Sequence, residues 1–170
     1  SLPPRFMNLL PRLHNFAKKH SGSLIEYKRY ASRVKEMENQ YPKVGVGVIV
    51  VKNGQVLIGK RKEAYGQGTW AFPGGGLEFG ETFEDCAVRE VKEEADVKIA
   101  NVSLAHVIND FMSNQSKHYV TVYMKADFLS GEPRSADGEL DEWQWADWEH
   151  LPWPRFIPLE NLLKSGYRPW

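Results

Sequence analysis

Residues 75–97 read GGLEFGETFEDCAVREVKEEADV, and this stretch decides the rest. It continues a glycine-rich loop, Pro73-Gly74-Gly75-Gly76, passes through Glu81, and then loses every helix breaker. The run from Phe83 to Ala95 contains neither Gly nor Pro, so it predicts one helix of about three and a half turns. Thr82 followed by Asp85 resembles a capping box at its start. At roughly 100° per residue, Ala87, Val88, Val91 and Ala95 share a face that should be buried.

Glu90, Glu93 and Glu94 fall on an arc flanking that apolar stripe. Glu90 lies three and four residues from the other two, so like charges stand side by side and weaken the helix. Clustered helix glutamates are ordinarily a solvated face. Here, however, the arc borders the buried side and follows glycines that let a backbone approach closely. A hard divalent cation with oxygen ligands would relieve the repulsion.

Gly75, Glu81, Arg89, Glu90, Glu93 and Glu94 stand at the spacing Gly, five residues, Glu, seven residues, Arg-Glu, an aliphatic, any residue, Glu-Glu. With Val91 and Val97 in the aliphatic slots, this resembles the signature of the Nudix (MutT-like) family. One slot departs, with Asp96 where the family usually has Gly. Asp tolerates a left-handed backbone better than most residues, so the departure bears on how the helix ends more than on chemistry. The resemblance implies an α/β fold, a mixed sheet sandwiched between helices, and hydrolysis of a phosphoanhydride bond with Mg²⁺, Mn²⁺ being a substitute. It implies metal ligation by Glu90, Glu93 and Glu94 with a backbone carbonyl of the Pro73–Gly75 turn, here assigned to Gly74. Arg89 is expected to orient the carboxylates, and Glu81 to assist them or the base step. Family members often draw a further acid from a downstream loop, for which Glu139 and Asp141 are the candidates.

The 170 residues suffice for one domain and an appendage. Formal net charge is zero, but residues 1–40 hold eight Lys/Arg against three Asp/Glu, leaving the remainder equally acidic. The expected division is an N-terminal helical extension, 1–41, and a Nudix domain, 42–170. In the extension, 5–20 and 23–40 read as helical segments, an arm that packs on its own domain or clasps a second subunit in a homodimer. Nothing resembles the basic face of a stable nucleic-acid binder, and no apolar run reaches the ~18 residues of a membrane span. A lone cysteine, Cys86, excludes an internal disulfide and suits a reducing, cytoplasmic compartment. Inside the helix it reads as a small core residue. The acid-free first 25 residues, with Arg5, Arg12, Lys18 and Lys19, leave an organelle address as the alternative.

Along the domain, Val44–Val51 reads as a buried central strand. Asn53-Gly54 supplies a hairpin turn and Gln55–Lys60 the return strand. Lys60, Arg61 and Lys62 follow; a basic loop is usually solvated, but before a phosphate-handling helix Lys60 and Arg61 become substrate-binding candidates, with Gly75 and Gly76. Trp70–Phe72 reads as a short strand whose aromatics are core or, as the minority reading, a base-stacking surface. Ile99–Asn109 and His118–Phe128 are expected strands, the second with both faces covered. Gly131–Asp141 is an expected loop, Trp143–Trp145 a short strand, and Pro158–Lys164 a final helix stopped by Gly166.

Beyond the signature, IGKRK, GQGTWAFPGGGLEFGET, HYVTVYM and EWQWADWEHLP are similar to the small nucleoside-triphosphate diphosphatase branch of the family. That branch converts a nucleoside triphosphate to the monophosphate and pyrophosphate. Gly76 stands where its members often carry a substrate-facing histidine; His106 and His118 read as satisfied strand residues rather than replacements. Two alternatives remain on sequence alone: a nucleotide-sugar hydrolase acting on GDP-mannose or ADP-ribose, and a non-catalytic module that senses a nucleotide. Such modules typically lose signature carboxylates, and here all are present.

Overall fold

A computed structural model describes residues 41–62, 65–112, 117–136 and 138–170. The expected arm over 1–40 lies outside the described residues, as does most of the polar loop after Met112. The order is β1 (Lys43–Lys52), β2 (Gln55–Arg61), β3 (Trp70–Ala71), β4 (Gly74–Gly76), α1 (Phe83–Ala95), β5 (Lys98–Met112), β6 (Lys117–Ser130), β7 (Leu140–Asp147), a 3₁₀ turn (Trp148–His150) and α2 (Ile157–Lys164).

The seven strands form one mixed sheet. Its main path runs β3-β2-β1-β6-β5, with β4 added to β1 and β7 to β2. Among the described strand pairs β1–β6 is the parallel one, in register from Lys43 opposite Tyr119 to Val51 opposite Asp127. The β1–β2 hairpin turns at Asn53 (φ 51°) and Gly54 (φ 78°), the positive angles that a tight two-residue connection needs.

Strand alternation sends side chains to two separate cores. Val46, Val48 and Val50 face α1, where they meet Cys86, Ala87, Val91 and Ala95. Ile49 faces the other way, with Val56, Ile58 and Trp148, and meets Leu159 and Leu162 of α2. The sheet is therefore covered on both faces, as the expected sandwich requires. Gly45 and Gly47 share the α2 side of β1, where any side chain on Gly47 would run into the Tyr123 ring at 2.8 Å.

α1 occupies the predicted residues and is capped as expected: Thr82 Oγ1 accepts from Asp85 N at 3.0 Å, a cap worth about 1 kcal/mol. Asp96 takes the left-handed conformation (φ 54°, ψ 30°) that the absent glycine would take. Its carboxylate compensates by pairing with Lys92 and Arg134. The buried stripe differs by one member. Val88 is 46% exposed and Cys86 takes its place, because the helix leans its Glu90 side, not its Val88 side, toward the sheet. Burial pushes the Cys86 thiol up to about 12, which makes it inert core. β7 is longer than expected and begins at Leu140, so Asp141 belongs to a strand paired with Lys60 rather than to the preceding loop.

Candidate active site

β4 is a strip of three glycines laid between α1 and the open side of β1. Gly74 N donates to Glu94 Oε2 at 2.7 Å, which ties the helix to the strip. A Cβ built on Gly75 would stand 2.4 Å from Glu90 Oε1, and one on Gly74 would stand 2.0 Å from the Val46 carbonyl. Both positions must therefore lack a side chain. Gly76 is different: nothing lies within 4 Å of a Cβ there. A side chain at this position would begin in open space, so packing does not require the glycine.

Arg89 gathers the acids. Its Nε and Nη2 make a two-pronged contact with Glu81 at 2.6 and 3.0 Å. Nη1 reaches Glu90 at 2.7 Å and Glu93 at 3.1 Å, and Nη2 donates to the Gly76 carbonyl at 3.2 Å. One guanidinium thus holds three carboxylates and a loop carbonyl in a planar fork, which a lysine could not do. The Arg89 hydrogen bonds push Glu81 down to about 2. Burial raises Glu90, outweighing the opposing pull of Arg89. Glu94 is 1% exposed and Glu90 8%, while the Glu93 side chain remains 53% exposed.

On the far side of the glycine strip lies a cleft of about 310 Å³. Gly74, Gly75 and Gly76 form one wall, and Arg61 and Glu139 stand on its rim. Five aromatic side chains, Tyr65, Phe72, Tyr119, Tyr123 and Phe156, are among the other lining residues. Tyr65 and Phe156 meet edge to face with centroids 5.2 Å apart. Arg61 lies over the Phe156 ring at 4.4 Å, and Lys117 over Tyr65 at 4.3 Å. Such a slot suits a flat, electron-rich ring beside an anionic group.

Most of the sequence candidates converge here: Glu81, Arg89, Glu90, Glu93 and Glu94 beside the strip, Gly74–Gly76 in it, Arg61 and Glu139 lining the cleft, with Glu139 near enough to raise Glu90. Two do not. Lys60 Nζ turns to both oxygens of Glu142 at 3.1 Å, and Asp141 pairs with Lys62 at 3.3 Å; neither lines the cleft. Strand alternation separates Lys60 from its neighbour Arg61. Tyr65, Lys117, Tyr119 and Phe156 were not singled out from sequence. They come from three distant parts of the chain, Lys117 and Tyr119 sharing β6, and no local spacing announces them.

The donor chemistry fits a hard divalent cation. Glu90, Glu93 and Glu94 offer only oxygen, and the Gly75 position leaves open the space directly against Glu90. Among the described residues no three acidic, histidine or cysteine side chains already converge as a cage. Arg89 occupies the oxygens of Glu90 and Glu93 that would have to turn. The Pro73 carbonyl is committed to Val48 N at 2.8 Å.

A model of the NUDIX domain matches residues 41–165. An ADP-ribose pyrophosphatase of Methanocaldococcus jannaschii is 31% identical over 159 residues, covering 92% of this chain and 89% of the relative. An oxidized purine nucleoside triphosphate hydrolase of Danio rerio is 33% identical over 131 residues, covering 71% and 81%. The crystal structure of a MutT NUDIX hydrolase from Burkholderia pseudomallei superposes with a TM-score of 0.68 at 30% identity, over 73% of this chain and 97% of that one.

The chain is a Nudix hydrolase.

Other curated relatives are longer, and the chain spans 40% of the length of two of them. Nudix hydrolases generally use a divalent metal and act on small nucleotide substrates. The non-catalytic reading therefore falls away for this Nudix chain. No helix among its described residues is long and apolar enough to cross a membrane.

Proposed function

We propose that this Nudix hydrolase cleaves a nucleoside triphosphate to the monophosphate and pyrophosphate. Mg²⁺, with Mn²⁺ as substitute, would be held by Glu90, Glu93, Glu94 and the Gly74 carbonyl. The observation that carries the reading is the side-chain-free strip Gly74–Gly76, with the acid cluster against one side and an aromatic, arginine-rimmed cleft on the other. A base in the cleft would place its phosphate chain across the glycines toward the carboxylates.

When bound, the cation would supply charge neutralisation on the phosphates and a more acidic water. The chain's own residues do the rest. Glu94 is fixed by the Gly74 amide and Arg89 gathers Glu81, Glu90 and Glu93, so that Glu90 and Glu93 need only turn from Arg89 to meet a cation. Glu81, held ionised by Arg89, is too weak a base to take a proton at neutral pH and instead orients the Arg89 guanidinium. Arg61 at the rim would neutralise a phosphate by a two-pronged contact, and Glu139 is the remaining acid at the cleft.

A second reading, an ADP-ribose hydrolase, is favoured by the Methanocaldococcus jannaschii relative, which covers 92% of the chain. The two are separated by one Mg²⁺-supplied panel of dGTP, modified dNTPs, ADP-ribose, NADH and GDP-mannose with products identified. Pyrophosphate with a monophosphate supports the first reading. AMP with ribose phosphate moves the assignment to the second.

A further inference from the structure

Asp110 is completely buried and belongs to no part of the acid cluster. It lies on β5 opposite Tyr119, while Thr121 of β6 lies opposite Ile108 of β5 and Gly45 of β1. Directly paired residues share a face of the sheet, so Asp110 is on the same face as Tyr119, Thr121 and Tyr123, which line the cleft. Both of its oxygens are used by neutral donors. Oδ1 accepts from Asn161 Nδ2 of α2 at 2.7 Å, and Oδ2 accepts from the Thr121 hydroxyl. Among the described residues it makes no ion pair. An isolated buried carboxylate is costly, and packing alone gives no reason for an acid behind a cleft floor.

The polarity of Thr121 gives one. A hydroxyl carries a single hydrogen and two lone pairs, and a carboxylate can only accept. With its hydrogen committed to Asp110, the Thr121 oxygen has only lone pairs to turn toward the cleft. We propose that Asp110 is a specificity-determining positioning residue: it fixes the Thr121 hydroxyl as an acceptor facing the cleft, so that the cleft selects purines bearing an exocyclic amino group. This rests on the cleft receiving a nucleobase, as the proposed function has it. Asn161 plays the matching part behind, since its donated hydrogen bond aims the other carboxylate oxygen away from the cleft.

The test is equilibrium binding of monophosphates without metal, which requires no turnover. Two pairs differ by one amino group only: dGMP with dIMP, and dAMP with deoxynebularine monophosphate. At least one amino-bearing member should bind roughly tenfold tighter, the size of one well-placed hydrogen bond. Thr121→Ser, which keeps the hydroxyl, should keep that ratio, and Thr121→Val should bring it near one. Asp110→Leu removes the acceptor and frees the hydroxyl hydrogen to turn, so its ratio should fall to one or below. Asp110→Asn, whose amide can present either end, should lower it and serves where Asp110→Leu does not fold by circular dichroism. A folded Asp110 variant with the unaltered ratio overturns the inference. So does a protein that binds none of the four ligands or prefers neither amino-bearing member. Binding with the expected ratios but no pyrophosphate from any triphosphate would strike the proposed reaction and leave this inference standing.

Discussion

A methyl group on Gly75 and the carboxylate of Glu90 cannot share their present positions: all three carboxyl atoms would lie within 2.7 Å of the added carbon. Gly75 has no left-handed backbone to strain, so Gly75→Ala should fold and displace Glu90 instead. Displacing a reacting group by about 1 Å costs roughly a hundredfold in rate, and that is the expected loss in steady-state hydrolysis. Gly76→Ala meets nothing within 4 Å, and its unfolding free energy should stay within about 0.5 kcal/mol of the parent.

Glu94→Gln keeps the shape and the hydrogen bond from Gly74 but removes the charge. Its melting curve should stay close to the parent's. Its rate with saturating Mg²⁺ should fall by roughly a hundredfold or more, since a lost metal ligand forfeits several kcal/mol of transition-state stabilisation. Parental activity in this variant would remove Glu94 from the metal site.

Arg89 and Glu81 give a stability prediction against pH. Glu81 titrates at about 2 in the fold against an ordinary 4.5, chiefly because Arg89 donates to it. A group with a depressed folded value stabilises fully above its unfolded value and loses that contribution as pH falls through the folded one. Denaturant midpoints should therefore decline between about pH 4.5 and 2. Arg89→Met should return Glu81 toward its ordinary value and flatten this part of the decline. A variant with the same slope as the parent in that window would show that the pair contributes nothing.

Adjacent cations on β2 should behave differently. Arg61→Ala removes the rim cation and a hydrogen bond to the Tyr65 carbonyl at 3.0 Å. Its KM should rise roughly ten- to hundredfold, the worth of a charged hydrogen bond. Lys60→Ala severs a pair with Glu142 and a cation contact over the Trp70 ring at 5.9 Å, neither of them at the cleft, and KM should stay within about twofold, as surface pairs are weak. Steady-state kinetics on the two variants decides it.

What could be read from the chain beforehand follows from how local the information was. α1, its Thr82 cap and its glutamates sit in one continuous segment at helical spacing, so a linear pattern carries them. The β1–β2 hairpin is fixed by two neighbouring residues, Asn53 and Gly54. The aromatic half of the cleft was not legible, because Tyr65, Tyr119 and Phe156 meet only through the parallel β1–β6 pairing and the return of α2. Val88 was misread because a stripe of apolar residues does not say how far a helix is rolled about its axis. Lys60 was misplaced because a run of like charges hides the alternation of a strand.

Asp96 ends the helix and also fastens what comes after. Arg134 N bonds to the Ala95 carbonyl and Ala136 N to the Glu94 carbonyl, each at 3.1 Å, while Arg134 pairs with Asp96. A few residues on, the Glu139 carbonyl receives Lys62 N at 2.9 Å. Glu139 is thereby moored from two shores, the tail of the acid helix and the tip of β2. A nucleotide pressing on Glu139 would therefore press on a segment hung at one end from the helix that carries Glu94 and at the other from β2.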